Sequence, residues 1–121
     1  MLENLLLKAL PLPPMERAKV LEDSQELARA SKSAATRGSS RVPSAEEDVD
    51  LHYVCFVKSE KDNHIYELDG RRKGPLDRGF IGEDDILSDK AIDIVQTFTD
   101  RERSTGRLDF SLIALAPTMK L

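Results

Sequence analysis

Apolar residues recur with a helical period at the start of the chain, at Leu2, Leu5, Leu6 and Ala9. Spacings of three and four residues place them on one face, so the pattern predicts a short amphipathic helix. A cluster of prolines ends it, and Pro14 suits the first turn of a second helix over MERAKVLE, because the missing N–H is not needed there. Asp23 followed by Glu26 is a capping-box pattern, which predicts a third helix from Ser24 to about Ser31.

The helical period disappears between Ser31 and Asp50, where the residues are small and polar (SKSAATRGSSRVPSAEEDVD). A structureless connection of this length is uncommon inside a small domain, and it is usually a functional loop or a disordered linker. We therefore predict a loop over 31–50.

Two runs rich in β-forming residues follow, Leu51–Val57 and His64–Leu68, and the polar KSEKDN between them predicts a β-hairpin. Helical periodicity returns over 82–106, with acidic residues at the start and basic residues near the end. The expected core stripe of this helix is Leu87, Ala91, Ile94, Val95 and Phe98. The apolar run 107–117 then predicts a buried last strand. Together these elements predict an α+β fold, with an antiparallel β-sheet, N-terminal helices and one long helix before the last strand.

Composition and charge mainly exclude certain kinds of partner and location. The 121 residues are enough for one small domain, so 1–121 is predicted to share a modest, mostly aliphatic core. The net charge of −4 argues against a nucleic-acid partner, and no apolar run is long enough to cross a membrane. A single cysteine cannot form an internal disulfide, which favours a reducing compartment, the cytoplasm or the nucleus. The basic run at 71–73 is expected to be a solvated turn.

The hairpin carries the candidate chemistry of the chain. With the turn centred between Glu60 and Lys61, His52 faces Asp69 across the two strands, and opposed residues of an antiparallel pair project to the same face. A carboxylate beside a histidine fixes its tautomer and supports its protonated form, as do the base and the orienting group of a catalytic triad. The residues alone leave a second interpretation open, an edge-strand histidine in a partly satisfied polar pair.

Cys55 is the only cysteine, and its position excludes it as a nucleophile for His52. Three residues along a strand correspond to about 10 Å, and an odd spacing points the two side chains to opposite faces. In the chosen register Cys55 faces Tyr66, and we expect it to fill the core beside its apolar neighbours. His64 lies at the turn and is expected at the surface. No ligand spacing indicates a metal, and no phosphate-binding or dinucleotide-binding motif indicates a cofactor.

The segment LHYVCFV…HIYELDGRRKGPLDRG, from Leu51 to Gly79, resembles the histidine- and aspartate-bearing segment of the ubiquitin carboxyl-terminal hydrolases, which are papain-like cysteine deubiquitinases. YELDGR with a downstream Gly-Pro, after a strand that opens in histidine, is a specific pattern of that family. LPLPPMERAKVLEDSQELARA resembles the helices before its crossover loop, and FTDRE and LDFSLIALAP resemble its last helix and last strand. The resemblance covers the chain from about Leu2 to Pro117.

The resemblance implies a role for each matching position. His52 corresponds to the catalytic histidine, the general base and later general acid, and Asp69 corresponds to the orienting aspartate. Residues 31–50 correspond to the crossover loop, which in the family lies over the active site and restricts which ubiquitin adducts enter. The family also implies the fold of the C-terminal half of a papain-like cysteine peptidase, ubiquitin as the partner, and no cofactor or metal.

The sequence departs from the family at the nucleophile. The family carries its cysteine upstream in an Asn-x-Cys-Gly setting, shortly after a glutamine of the oxyanion hole, and this sequence contains no Cys-Gly pair. We therefore expect the His/Asp half of a thiol-dependent ubiquitin hydrolase, inactive alone and completed by a missing N-terminal half. Two alternatives stay open, a catalytically dead ubiquitin-binding module and an inert fragment. Without that half, the strands are expected to expose an apolar face.

Overall fold

The computed structural model describes residues 1–39, 44, 53–107 and 109–117. It divides the chain into two units, Met1–Val49 and Asp50–Leu121. The first unit contains three helices, α1 (Leu2–Ala9), α2 (Pro14–Glu22) and α3 (Gln25–Arg37). The second unit contains three strands and a helix, β1 (Val54–Lys58), β2 (His64–Asp69), β3 (Leu76–Phe80) and α4 (Asp89–Ser104). The predicted α+β class, with a long helix near the end of the chain, is therefore confirmed.

A proline and an arginine shape the connection between α1 and α2. Pro14 occupies the first turn of α2, as the sequence predicts. The Arg17 side chain donates to two carbonyl groups of the preceding turn, from Nε to Leu12 O at 2.6 Å and from Nη2 to Leu10 O at 2.9 Å. These bonds satisfy carbonyl groups at the C-cap of α1 and in the connection that follows it.

α3 is longer than the sequence pattern predicts. Its N-cap is Ser24, and the Ser24 hydroxyl accepts a backbone N–H at 3.2 Å. The helix continues to Arg37, so residues 31–37 of the predicted loop are helical. Two adjacent alanines in this stretch favour the helix, and the Arg37 guanidinium adds a bond to the Ser33 hydroxyl one turn earlier, at 3.0 Å. Most of the remaining predicted loop lies outside the described residues.

The sheet has the strand order β1-β2-β3, and both pairings are antiparallel. The outermost pairs are Val54↔Asp69 and Lys58↔Ile65 between β1 and β2, and His64↔Phe80 and Glu67↔Leu76 between β2 and β3. The hairpin of β1 and β2 is therefore confirmed. β3 is an element that the sequence pattern missed, because its polar middle, Asp77 to Gly79, hides the alternation typical of a strand.

A β-bulge in β3 changes which of its residues point towards the core. Ile65 opposes Gly79 and the next residue opposes Asp77, so Arg78 is the extra residue. Gly79 adopts φ +125°, a conformation that is least costly for glycine. The extra residue reverses the alternation of side chains along β3. Arg78 and Ile81 therefore both lie on the buried side of the sheet, although they are three residues apart.

The core of the second unit lies between α4 and one face of the sheet, which we call the inner face. Its fully buried members are Ile65, Ile81 and Ala91, and Phe56, Ile86 and Ile94 pack against them. The predicted helix stripe is confirmed for Ala91, Ile94, Val95 and Phe98, which are buried or half-buried. It is wrong for Leu87, which is 50% exposed, because α4 begins only after its N-cap Ser88.

The opposite side of the sheet, which we call the open face, carries Cys55, Val57, His64, Tyr66, Leu68, Asp77 and Phe80. Phe80 is 65% exposed and Val57 is 42% exposed. Within the described part of the second unit no helix packs on this face. The expectation that the strands expose an apolar face therefore agrees with the structure.

The prediction of a buried last strand is wrong for the described residues 109–117. They form no regular secondary structure, and all are exposed, including Ile113 and Leu115. A strand exists only when its backbone groups bond to a neighbouring strand. Apolar β-forming residues alone therefore do not make a strand here.

Candidate active site

Asp69 lies at the end of the central strand β2, where the chain turns. Its Oδ1 atom accepts the Arg71 N–H at 2.9 Å, and its backbone carbonyl accepts the Arg72 N–H at 2.9 Å. The side chain of Asp69 is 9% exposed, and its Oδ2 atom is 3.9 Å from Arg72 Nε. The tight turn after the strand thus fixes a largely buried carboxylate. The basic run at 71–73 is exposed, as predicted.

The predicted hairpin register is wrong by two residues. Val57 pairs with Tyr66 rather than with His64, and Asp69 pairs with Val54. The cause is the turn, which is centred one residue later than predicted, between Lys61 and Asp62, so that Ser59 N donates to His64 O at 2.9 Å. A shift of two residues leaves the face of each side chain unchanged, because the side-chain period of a strand is two.

His52, the predicted general base, lies outside the described residues. Its catalytic assignment therefore stays a prediction. The expectation that His52 directly faces Asp69 across the strands is wrong, because Asp69 pairs with Val54. Asp69 shares the inner face with Glu67 and Ile65, since the three alternate along β2.

Cys55 is exposed, and the prediction that it fills the core is wrong. The alternation of β1 places Phe56 on the inner face, in contact with the core, and therefore turns Cys55 to the open face. Cys55 pairs with Leu68, on the side of the sheet opposite to Asp69. The structure thus separates this thiol from the Asp69 carboxylate.

A second histidine–carboxylate pair, which the sequence analysis missed, lies on the open face. His64 Nδ1 is 2.8 Å from Asp77 Oδ1, and the Asp77 oxygen also accepts the Gly79 N–H of the bulge at 2.9 Å. Beside it, the Tyr66 hydroxyl donates to Asp62 Oδ2 at 2.6 Å. His64 is only half-exposed, with its ring 5.6 Å from that of Phe80 and tilted against it.

These contacts shift the titration of all four groups. The hydrogen bond to Asp77 raises the pKa of His64, and the same bond lowers the pKa of Asp77. The Tyr66 hydrogen bond lowers the pKa of Asp62 and raises the pKa of Tyr66 to about 12. The pair resembles a base and its orienting group in geometry, but it stands on the face opposite to Asp69.

The inner face also holds a buried charge cluster, formed by Glu67, Arg78 and Arg101. Glu67 is fully buried. Arg78 binds Glu67 Oε2 through Nε at 2.7 Å and Nη2 at 2.6 Å, and Arg101 Nη2 lies 3.2 Å from Oε1. We call this cluster the Glu67 brace. Its members are far apart in sequence and meet only through the bulge and α4, so local spacing gives no signal for them.

No group of three or more histidine, cysteine or carboxylate side chains in the described residues is arranged to hold a metal ion. None of the described helices is both long and apolar enough to cross a membrane.

The sequence of this chain matches the profile of ubiquitin carboxyl-terminal hydrolase, family 1, over residues 1–100. The chain belongs to this family. It is 38% identical over 104 residues to ubiquitin carboxyl-terminal hydrolase isozyme L1 of Rattus norvegicus and 36% identical over 104 residues to the Homo sapiens protein of that name. It is 35% identical over 105 residues to ubiquitin carboxyl-terminal hydrolase 3 of Arabidopsis thaliana. The resemblance inferred from the YELDGR segment is confirmed.

These matches are unequal in the share of each chain that they cover. The two isozyme L1 matches include 86% of this chain and 43% of the relative, and the plant match includes 87% and 42%. The chain thus spans less than half the length of these relatives. No solved structure matches it.

Proposed function

We propose that this chain supplies the His52 and Asp69 of the Cys-His-Asp site of a thiol-dependent ubiquitin C-terminal hydrolase. The observation that carries the proposal is the Asp69 carboxylate, largely buried and fixed by the turn after the central strand, in a chain of this family. A carboxylate held in this way orients a neighbouring imidazole without moving during the reaction. The partner of the complete protein is ubiquitin.

The proposed reaction needs a cysteine from outside this chain. Its thiolate attacks the carbonyl carbon at the ubiquitin C-terminal glycine, and a C–S bond forms. His52 accepts the thiol proton and returns it to the departing amine as the C–N bond breaks. Water then hydrolyses the thioester and regenerates the thiol. Asp69 holds the imidazole in the required tautomer and stabilises its protonated form.

The chain alone is expected to be inactive. Histidine and aspartate activate a thiol but do not replace it. The three groups act as a unit, so the absence of the thiol removes nearly all of the activity. The separation of Cys55 from Asp69 by the sheet supports the view that Cys55 does not serve as the thiol. A reducing compartment such as the cytoplasm would suit this chemistry, because only the reduced thiolate is a nucleophile.

A complementation assay tests the proposal. The chain is co-expressed with the part of the rat isozyme L1 that lies outside the match, and hydrolysis of ubiquitin linked to a fluorogenic amine is measured. We expect no turnover from the chain alone and turnover from the mixture. His52→Ala should reduce turnover by at least about 10³-fold and leave ubiquitin binding intact. Cys55→Ala, the matched control, should leave turnover nearly unchanged.

Two outcomes would contradict the proposal. Turnover that survives His52→Ala would exclude His52 as the base. Ubiquitin binding by the chain alone, with no turnover in any mixture, would support the binding-module alternative instead.

A further inference from the structure

The Glu67 brace buries a charged carboxylate, which costs free energy, so its presence needs a structural explanation. Glu67 is fully buried, whereas Arg78 and Arg101 are 31% and 38% exposed. Removing a carboxylate from water costs free energy that even a close ion pair often fails to recover, and apolar replacements can be as stable. The brace is therefore poorly explained as a source of stability alone. A geometric role, in which it fixes the position of a strand, explains it better.

The brace joins several elements of the second unit at one point. Glu67 lies on β2, Arg78 on the bulge of β3, and Arg101 near the end of α4. Arg101 also stacks over the Phe98 ring at 5.1 Å, and that ring meets Phe56 of β1 at 5.5 Å. The carboxylate of Glu67 thus binds directly to β3 and α4, and α4 contacts β1 through the rings of Phe98 and Phe56.

Glu67 lies at the point along β2 where pairing with β3 ends. Glu67 pairs with Leu76 on one side and with Phe56 on the other. The β2–β3 pairing ends there, whereas Asp69, two residues on, pairs with Val54 alone. The brace thus holds the last residue of β2 that is paired on both sides. Asp69 projects to the same face about 7 Å further along, with only one strand beside it.

We infer that Glu67 is a positioning residue, which with Arg78 and Arg101 fixes the direction of the Asp69 carboxylate. The inference rests on the proposed function, in which Asp69 orients His52. If the brace is loosened, the singly paired end of β2 moves, and the Asp69 carboxylate loses its alignment with the imidazole.

The experiment is an NMR titration of the histidine rings in the 121-residue chain. The chain has two histidines, and His64→Gln identifies the resonance of His52. Asp69→Asn is the reference, and it should lower the titration midpoint of His52 by about 1 pH unit, because a neighbouring negative charge is lost. Arg101→Gln is the test variant. Arg103→Gln, on the same helix but 60% exposed and outside the brace, is the matched control.

The sign of the Arg101→Gln effect separates positioning from electrostatics. Loss of a positive charge, acting through space, raises the midpoint of a histidine. Misplacement of Asp69 lowers it, and we expect a decrease of about 0.5 pH unit. Arg103→Gln should give no change or a small increase. An increase or no change for Arg101→Gln, while Asp69→Asn lowers the midpoint, would overturn the positioning role and leave the proposed function standing.

Glu67→Gln, alone and combined with Asp69→Asn, tests the inference if Arg101→Gln fails to fold. Glu67→Gln preserves the shape of the side chain and removes its charge. If Glu67 acts through Asp69, Glu67→Gln lowers the His52 midpoint in the wild-type background and has no effect in the Asp69→Asn background. An equal decrease in both backgrounds would show a through-space effect and overturn the inference. No response of His52 to Asp69→Asn would instead contradict the proposed His–Asp pair itself.

Discussion

The inner and open faces of the sheet are built from the same three strands and differ in what covers them. On the inner face, Ile65 and Ile81 are fully buried beneath α4, and the buried charge of Glu67 is matched by two arginines. On the open face, Val57 and Phe80 remain exposed beside the polar pair of His64 and Asp77. One face is thus completed by the chain itself, and the other is not completed by any described part of the same unit.

The difference shows the effect of a helix that follows the sheet in sequence. α4 packs on the inner face, where its Ala91 is buried together with Ile65 and Ile81. On the open face, none of the described helices of the second unit has this role. Asp69 lies on the covered inner face, and its side chain is only 9% exposed.

The largest expected effect comes from Ile65→Ala on the inner face. Ile65 is fully buried, and truncating such a side chain removes buried apolar surface and leaves a cavity. We expect the free energy of unfolding to fall by about 2–5 kcal/mol. Urea denaturation followed by circular dichroism measures it.

Val57→Ala is the matched control on the open face. Val57 is 42% exposed, so its truncation should change the free energy of unfolding by no more than about 0.5 kcal/mol. A loss comparable to that of Ile65→Ala would mean that the open face is covered in solution, and the contrast between the faces would not hold.

A smaller effect is expected at the start of α4, the helix that covers the inner face. The Ser88 hydroxyl accepts the Ala91 N–H at 3.4 Å as the N-cap. Ser88→Ala should cost about 1 kcal/mol and speed hydrogen exchange of the β2 amides. Ser24→Ala removes the corresponding cap of α3 in the first unit and should leave those amides unchanged. Equal exchange rates in wild type and Ser88→Ala would show that α4 does not limit opening of the sheet.

The smallest effect is expected for the polar pair on the open face, because exposed ion pairs contribute little. The pKa of His64 is raised in the folded state, so the pair stabilises the fold fully below the ordinary value of 6.5 and loses this contribution as pH rises through the folded pKa. The urea midpoint of the wild type should therefore fall more between about pH 6 and about pH 8 than that of His64→Gln. Parallel changes in the two proteins would show that the pair is not formed in solution.

Elements with a strong local period could be predicted from the sequence, and elements that depend on a distant partner could not. The existence of α1 and the core stripe of α4 follow from apolar spacing, although Leu2 and Leu6 of the predicted α1 face are 61% and 54% exposed. β3 escaped prediction because Asp77 and Arg78 interrupt its pattern, and it exists through pairing with β2. Residues 109–117 present the reverse case, since their composition is typical of a strand but the described chain supplies no strand to pair with them.

The candidate site divides in the same way. The position of Asp69 at the end of a strand could be predicted because it stands in a short, specific motif beside a turn, and its role in the site stays a prediction. The Glu67 brace could not, since Glu67 and Arg101 are 34 residues apart and meet only after α4 packs on the sheet. The hairpin register was missed because the end of the turn depends on Asn63, which takes a left-handed conformation with φ 57° and so moves the centre of the turn.

The exposed position of Cys55 has a practical consequence. It is the only thiol of the chain, so a maleimide dye can be attached at a single known site, on the open face and away from Asp69. The emission of such a dye would report when another polypeptide docks on that side of the sheet. Because the label does not touch the inner face, the fluorescence signal would follow assembly independently of catalysis.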